Sequence, residues 1–186
     1  RAYEDFVAVA RDLVRRGVTT PAQLGAQGGS NGGLLMGNMY AQYPQDFGAI
    51  LCQVPLLDMG RYHTLLAGHS WMAEYGDPED PQQWEFIRSF SPLHLFAQAQ
   101  AEGDPGDYPA LMITTSTKDD RVHPGHARSL GYLVERAGLP LWYFENVEGG
   151  HAGAADNRQR AHNQALGWAF LSQQLGLGTT AEASGR

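Results

Sequence analysis

Six consecutive residues, Gly28-Gly29-Ser30-Asn31-Gly32-Gly33, restrict the fold of this chain more than any other feature. They lie between a short strand candidate over residues 23–27 and a helical pattern over residues 34–43 that stops at Pro44. A Gly-x-Ser-x-Gly run in that setting marks a serine on a cramped strand-to-helix turn, its hydroxyl projecting beyond the sheet edge. The glycines have a steric task, because residues two before and two after the serine approach so closely that a Cβ would clash. Gly33 lets the helix pack nearer the sheet. The helix start at Asn31 aims backbone N–H groups, and the positive end of the helix dipole, at the space where an oxyanion would develop. With 23 glycines in the chain the pattern alone is weak, and the strand before it and the helix after it are what make it informative.

The rest of the chain alternates helix and strand. Phe6, Val9, Ala10, Leu13 and Val14 fall at helical spacing over residues 3–16, and Gly17 follows as a stop. The apolar run over residues 47–54 ends at Pro55 and predicts a strand buried on both faces, as does the run over 110–115. A helix is predicted over 126–137, a strand over 141–147 and a long helix over 157–175. Right-handed crossovers turn this order into an α/β fold, a mainly parallel sheet with helices on both faces and the ligand beyond the carboxyl ends of the strands. Residues 58–106, rich in Pro, aromatics and acids, read as an elaborated connection with helical patches over 62–67 and 82–89, and such connections supply site walls. Residues 1–176 form one unit, and 177–186, small and polar, read as a disordered tail.

Charge and composition remove several classes of partner. The net charge is −7 and thirteen Lys and Arg are scattered along the chain, so a nucleic-acid backbone finds no clustered cations. No apolar run approaches the roughly 20 residues needed to cross a bilayer, so no membrane partner is expected. The compartment, cytoplasmic or periplasmic, is left open. Cys52, the single cysteine, lies in an apolar run and reads as a buried structural thiol.

A serine hydroxyl attacks an amide or ester only when a base removes its proton, and on this kind of sheet the expected chain order is Ser, acid, His. His151, between Gly150 and Ala152, follows the strand over 141–147 and precedes the last helix, at a strand's carboxyl end. His63, His69, His94 and His162 lie in or beside helical or connecting segments and read as structural or surface groups. His123 and His126 lack further ligands at metal spacing, so no metal is expected. Asp119 and Asp120 follow the strand over 110–115, and one of them would hold the His151 tautomer that leaves Nε2 free for Ser30. Spacing does not choose between the two.

These residues, together with Gly68-His69-Ser70-Trp71, Tyr75-Gly76, Ser91-Pro92-Leu93-His94, Asp119-Asp120-Arg121-Val122 and Gly150-His151, resemble the prolyl oligopeptidase family of serine peptidases up to about Leu175. The resemblance implies a partial α/β-hydrolase fold, the C-terminal portion of a catalytic domain. It implies Asp119 as the triad acid, since the family pattern is Asp, any residue, Arg. It further implies Asn31 as an oxyanion donor through its backbone N–H, Trp71 stacked on a substrate proline ring, Tyr75 and Val122 completing that pocket, and Arg121 holding a substrate carbonyl or carboxylate. The activity so implied is post-proline cleavage of short peptides by a serine endopeptidase that needs no cofactor.

Two features of the family have no counterpart here, the N-terminal β-propeller and the earlier strands, whose loop carries a tyrosine as second oxyanion donor. The chain therefore reads as part of a longer peptidase, with the missing N-terminal part of the same protein as its partner. Losing one oxyanion donor costs roughly 3 to 4 kcal/mol of transition-state stabilisation, so reduced or no activity is expected of the chain alone. An esterase or acyl-aminoacyl peptidase on the same fold, and a non-catalytic interaction fragment, are the alternative readings.

Overall fold

In the computed structural model of the chain, the described residues are 1–103 and 106–177, so the predicted tail beyond Leu177 lies outside them. Helix α1 (Ala2–Arg15) carries Glu4 and Asp5 in its first turn and Arg15 in its last, each sign complementing the helix dipole. Strand β1 (Gly25–Gly29), helix α2 (Asn31–Gln42) and strand β2 (Ala49–Gln53) follow. The connection after β2 contains α3 (Met72–Tyr75), α4 (Pro81–Arg88) and α5 (Pro92–Ala101), and then come β3 (Ala110–Ser116), α6 (Gly125–Arg136), β4 (Leu141–Asn146) and α7 (Asn157–Gln174).

All strand pairs are parallel and the sheet order is β1-β2-β3-β4. Both faces of β2 are buried, as its unbroken apolar run requires. Ile50 and Cys52 point to one side, where they meet Val7 of α1, Met36 and Tyr40 of α2, Phe96 of α5 and Leu130 of α6 in one apolar cluster. Ala49 and Leu51 point to the other, against Phe170 and Leu171 of α7. Helices thus cover both faces, and α7 is the one that packs on the second face among the described residues. Burial pushes the Cys52 thiol well above its ordinary range, as a structural cysteine requires.

Helix α2 begins at Asn31, three residues before the predicted 34, β2 is confined to Ala49–Gln53 within the predicted 47–54, and larger changes fall at β1, at the patch over 62–67 and after Ser91. The strand expected over 23–27 begins only at Gly25, because Pro21 opens a 3₁₀ turn, Pro21–Gln23, closed by the Leu24 N–H on the Pro21 carbonyl at 3.1 Å. It then runs on through Gly29, since Gly28 and Gly29 pair with Cys52 and Gln53. The patch over 62–67 is two 3₁₀ turns, Tyr62–Thr64 and Leu66–Trp71, interrupted where Leu66 takes φ 50. Helix α5 was not anticipated; Pro92 occupies its first turn, where a missing N–H costs nothing.

The connection after β2 is tied to the sheet by buried polar contacts. His126 Nδ1 accepts the backbone N–H groups of Leu57 (3.3 Å) and Asp58 (3.0 Å). Ser91 Oγ accepts the Met59 N–H at 3.0 Å and lies 2.8 Å from His94 Nδ1. A second apolar cluster, Leu34, Leu56, Met59, Tyr62, Ile87, Phe90 and Val122, forms beneath this connection at the carboxyl end of the sheet.

Candidate active site

Ser30 stands between β1 and α2 at φ 57 and ψ −115, a left-handed conformation that side-chain-bearing residues rarely adopt. Three contacts hold it there. Its N–H donates to the Gln53 carbonyl at the end of β2 (2.9 Å), and its carbonyl accepts from Gly33 (2.9 Å) and Leu34 (3.2 Å) to start α2. The turn has no room for a Cβ at Gly28, where one would lie 2.4 Å from the Gly32 carbonyl oxygen, or at Gly33, where one would lie 2.6 Å from Pro55. The steric demand expected two residues before the serine is therefore present at Gly28, whereas the one expected two residues after it is not, since a Cβ at Gly32 would meet nothing within 4 Å.

The loop after β4 carries His151 back across the sheet end. Ser116 Oγ donates to the Asn146 carbonyl at 3.1 Å and also contacts the Gly149 carbonyl, while Asn146 Nδ2 donates to the Gly153 carbonyl at 2.8 Å. These contacts fix the loop from both sides. The imidazole then bridges two chain-distant groups: Nε2 lies 3.1 Å from Ser30 Oγ, and Nδ1 lies 2.8 Å from Asp119 Oδ2. Asp119 is held in turn by its own loop, its Oδ1 accepting the Arg121 and Val122 N–H groups at 2.9 Å each. Its carboxylate is fully shielded from solvent, whereas 19% of the His151 side chain is exposed. Asp120 is exposed, and Asp119 is the one of the two whose carboxylate contacts His151.

Such an arrangement favours one proton distribution. With Nδ1–H donated to Asp119, the Nε2 lone pair faces the Ser30 hydroxyl and can accept its proton. Asn31, the first residue of α2, presents its backbone N–H at the helix N-terminus, where the first four N–H groups lack intrahelical acceptors. Trp71 and Tyr75 are half-buried and pack against the cluster that includes Val122, itself 2% exposed. The Arg121 side chain is exposed, and its backbone carbonyl accepts the Ala67 N–H at 3.3 Å, linking the acid loop to the segment that ends at Trp71.

Of the eight residues singled out in the sequence, Ser30, His151 and Asp119 are in direct contact, Asn31, Arg121 and Val122 adjoin them in the chain or through the Asp119 carboxylate, and Trp71 and Tyr75 pack against the cluster that contains Val122. Gln53, Ser116 and Asn146, which position the serine and the histidine loop, were not singled out; each ends a strand, and a polar residue at a strand's carboxyl end was the available signal. The Nδ1 atoms of His123 and His126 accept backbone N–H groups, from Gly125 in the first case and from Leu57 and Asp58 in the second.

Comparison with known proteins gives a consistent result. The Prolyl oligopeptidase family profile matches residues 1–178. An uncharacterised peptidase of Sinorhizobium fredii is 49% identical over 175 residues, which are 94% of this chain and 23% of that protein. Prolyl oligopeptidase A of Amanita bisporigera is 32% identical over 180 residues, again 94% of this chain and 23% of the relative. Among solved structures, a post-proline cleaving enzyme from Rickettsia typhi superposes with a TM-score of 0.88 at 38% identity, covering 95% of this chain and 25% of that one. The chain therefore spans about a quarter of the length of the relatives it matches.

Proposed function

The chain belongs to the prolyl oligopeptidase family and has its α/β-hydrolase fold, and from that premise we propose that the whole protein is a serine endopeptidase cleaving short peptides after proline. The observation that supports the reading most is the unbroken series of contacts from Ser30 Oγ through His151 to Asp119, at 3.1 and 2.8 Å. In the proposed reaction, Ser30 Oγ attacks the scissile carbonyl carbon while His151 Nε2 takes the hydroxyl proton. Asp119 holds the ring and stabilises the imidazolium. The Asn31 N–H donates to the oxyanion. Collapse of the tetrahedral intermediate expels the amine, which receives the proton from Nε2, and leaves an acyl-enzyme. Water, deprotonated by the same imidazole, then releases the peptide acid and restores the hydroxyl.

Preference for proline is assigned to the half-buried faces of Trp71 and Tyr75 where they pack over Val122, since a flat indole face suits the C–H groups of a pyrrolidine ring. Arg121, exposed beside Val122, would take a substrate carbonyl or carboxylate.

The test compares a chromogenic peptide with proline at the scissile position, its alanine analogue and a simple aryl ester on the full-length protein. The proline peptide is expected to have the highest kcat/KM, and Ser30→Ala to lower it by about 10⁴-fold or more. An aryl ester hydrolysed well while the proline peptide is left intact would replace this reading with an esterase.

A further inference from the structure

Tyr75 makes a contact that its packing among apolar residues does not require. Its hydroxyl donates to the side-chain oxygen Oδ1 of Asn31, the residue directly after the nucleophile, at 2.7 Å. The ring is wedged to point there. Tyr62 meets it edge-on, with ring centroids 5.6 Å apart, and Phe90 lies on its other side at 6.3 Å. Tyr62 is itself pinned by a hydrogen bond from its hydroxyl to the Gly76 carbonyl, and Phe90 stacks on Tyr3 of α1. Burial and the Glu74 carboxylate push the Tyr75 phenol far above its ordinary pKa, so it remains a donor across the pH range in which an imidazole serves as base.

The position of Asn31 explains why such a restraint has a use. A short carboxamide readily turns to accept from nearby backbone N–H groups, its own included. At this helix the Gly33 and Leu34 N–H groups are taken by the Ser30 carbonyl, and the N–H at issue is Asn31's own, the one that must face the oxyanion. An unrestrained Asn31 Oδ1 would compete with the reacting oxygen for that donor. Asn31 is exposed, so no packing holds its side chain away.

We propose that Tyr75 is a positioning residue for the oxyanion site: its hydroxyl holds the Asn31 carboxamide off the Asn31 backbone N–H at the start of α2, and thereby couples the apolar residues around it to transition-state stabilisation. The proposal rests on the assignment of Ser30 as nucleophile and Asn31 N–H as oxyanion donor made above. It assigns to the hydroxyl a role separate from that of the ring, which packs among those apolar residues.

The two roles come apart in a double-mutant cycle on the full-length protein. Tyr75→Phe keeps the ring and removes the restraint. It is expected to lower kcat for a proline peptide about tenfold, the effect of one hydrogen bond, with KM changed less than about twofold because the ring is preserved. Adding Asn31→Ala removes the competing oxygen while leaving the backbone N–H, so the double variant is expected to recover most of the lost kcat. A merely structural tyrosine would give no such recovery. The same cycle is read a second time as the rate at which a small fluorophosphonate labels Ser30, since its phosphoryl oxygen occupies the oxyanion site whatever the peptide preference. A double variant as slow as Tyr75→Phe, or slower, in both readouts overturns the proposal while leaving the peptidase reading intact. Recovery in the labelling rate without turnover of any proline peptide upholds the proposal and removes the substrate assignment. Absence of both labelling and turnover in the unsubstituted, folded protein overturns both.

Discussion

The nucleophile's backbone is where function and stability are set against each other. Ser30 at φ 57 and ψ −115 occupies a region that costs a residue with a Cβ about 1 to 3 kcal/mol. Elsewhere in a fold, Ala is more stable than Gly because Gly has more conformational freedom to lose. At this position the order is expected to reverse, with Ser30→Gly more stable than Ser30→Ala by about 1 kcal/mol, read from urea midpoints at constant slope. Equal midpoints, or a more stable alanine variant, would mean that the turn is not strained. Asp119 is open to a similarly specific test. An asparagine there can still accept the Arg121 and Val122 N–H groups through Oδ1, so the loop keeps its shape. Its Nδ2 would face His151 Nδ1 with a donor and impose the wrong tautomer. Asp119→Asn is therefore expected to lower kcat by about 10⁴-fold with little change in denaturation midpoint, whereas Asp120→Asn, at an exposed position, should change kcat little.

Helix α6 and the connection after β2 are joined through His126, and that junction is sensitive to acid. Burial lowers the imidazole pKa to about 4, the nearby Asp58 carboxylate countering only part of the effect. Since an unfolded histidine titrates near 6.5, the unfolded chain binds more protons between those values, and stability falls as pH drops from about 6.5 toward 4. The loss from this group is about 3 kcal/mol at most across the window. His126→Asn places an oxygen near the position of Nδ1, keeping an acceptor for the Leu57 and Asp58 N–H groups without the titration. The difference in urea midpoint between pH 7 and pH 4.5 is expected to be smaller in that variant than in the unsubstituted protein; an equal or larger difference would contradict the assignment. Elements whose identity is local were legible in the sequence, and those that depend on partners were not. The short apolar run Ala49-Ile50-Leu51-Cys52, stopped at Pro55, reads as a buried strand and is one, and the helical pattern over 126–137 is α6. By contrast the strand expected over 23–27 lies at Gly-Ala-Gln-Gly-Gly, a run with little strand propensity of its own whose bounds are set by the turn at Pro21 and by pairing with β2. Helix α5 was obscured because Pro92 reads as a breaker until it is placed at the first turn. The 2.7 Å contact between Tyr75 and Asn31 joins residues 44 positions apart across an irregular connection, and no periodicity announces it.

The sheet as a whole brings the site together. With strands in the order β1-β2-β3-β4 and all parallel, the turns after β1, β3 and β4 open on the same edge, which is how groups 121 positions apart come to lie 3.1 Å from each other. The same order leaves β1 paired on one side only among the described residues. An unpaired strand edge is a template for another chain, so the isolated 186-residue chain is expected to self-associate in a concentration-dependent way, and Gln27→Lys, a charge on exposed β1, to reduce it. Sedimentation velocity checks this, and a monodisperse monomer at all concentrations would contradict it. The account depends above all on the reactivity of a single hydroxyl. Labelling of the full-length protein with a fluorophosphonate, followed by peptide mass spectrometry and by rate in the His151→Ala variant, tests it. The account predicts one adduct, on Ser30, formed at least about 10³-fold more slowly when the imidazole is removed; an adduct on another residue, or an unchanged rate without His151, would contradict it.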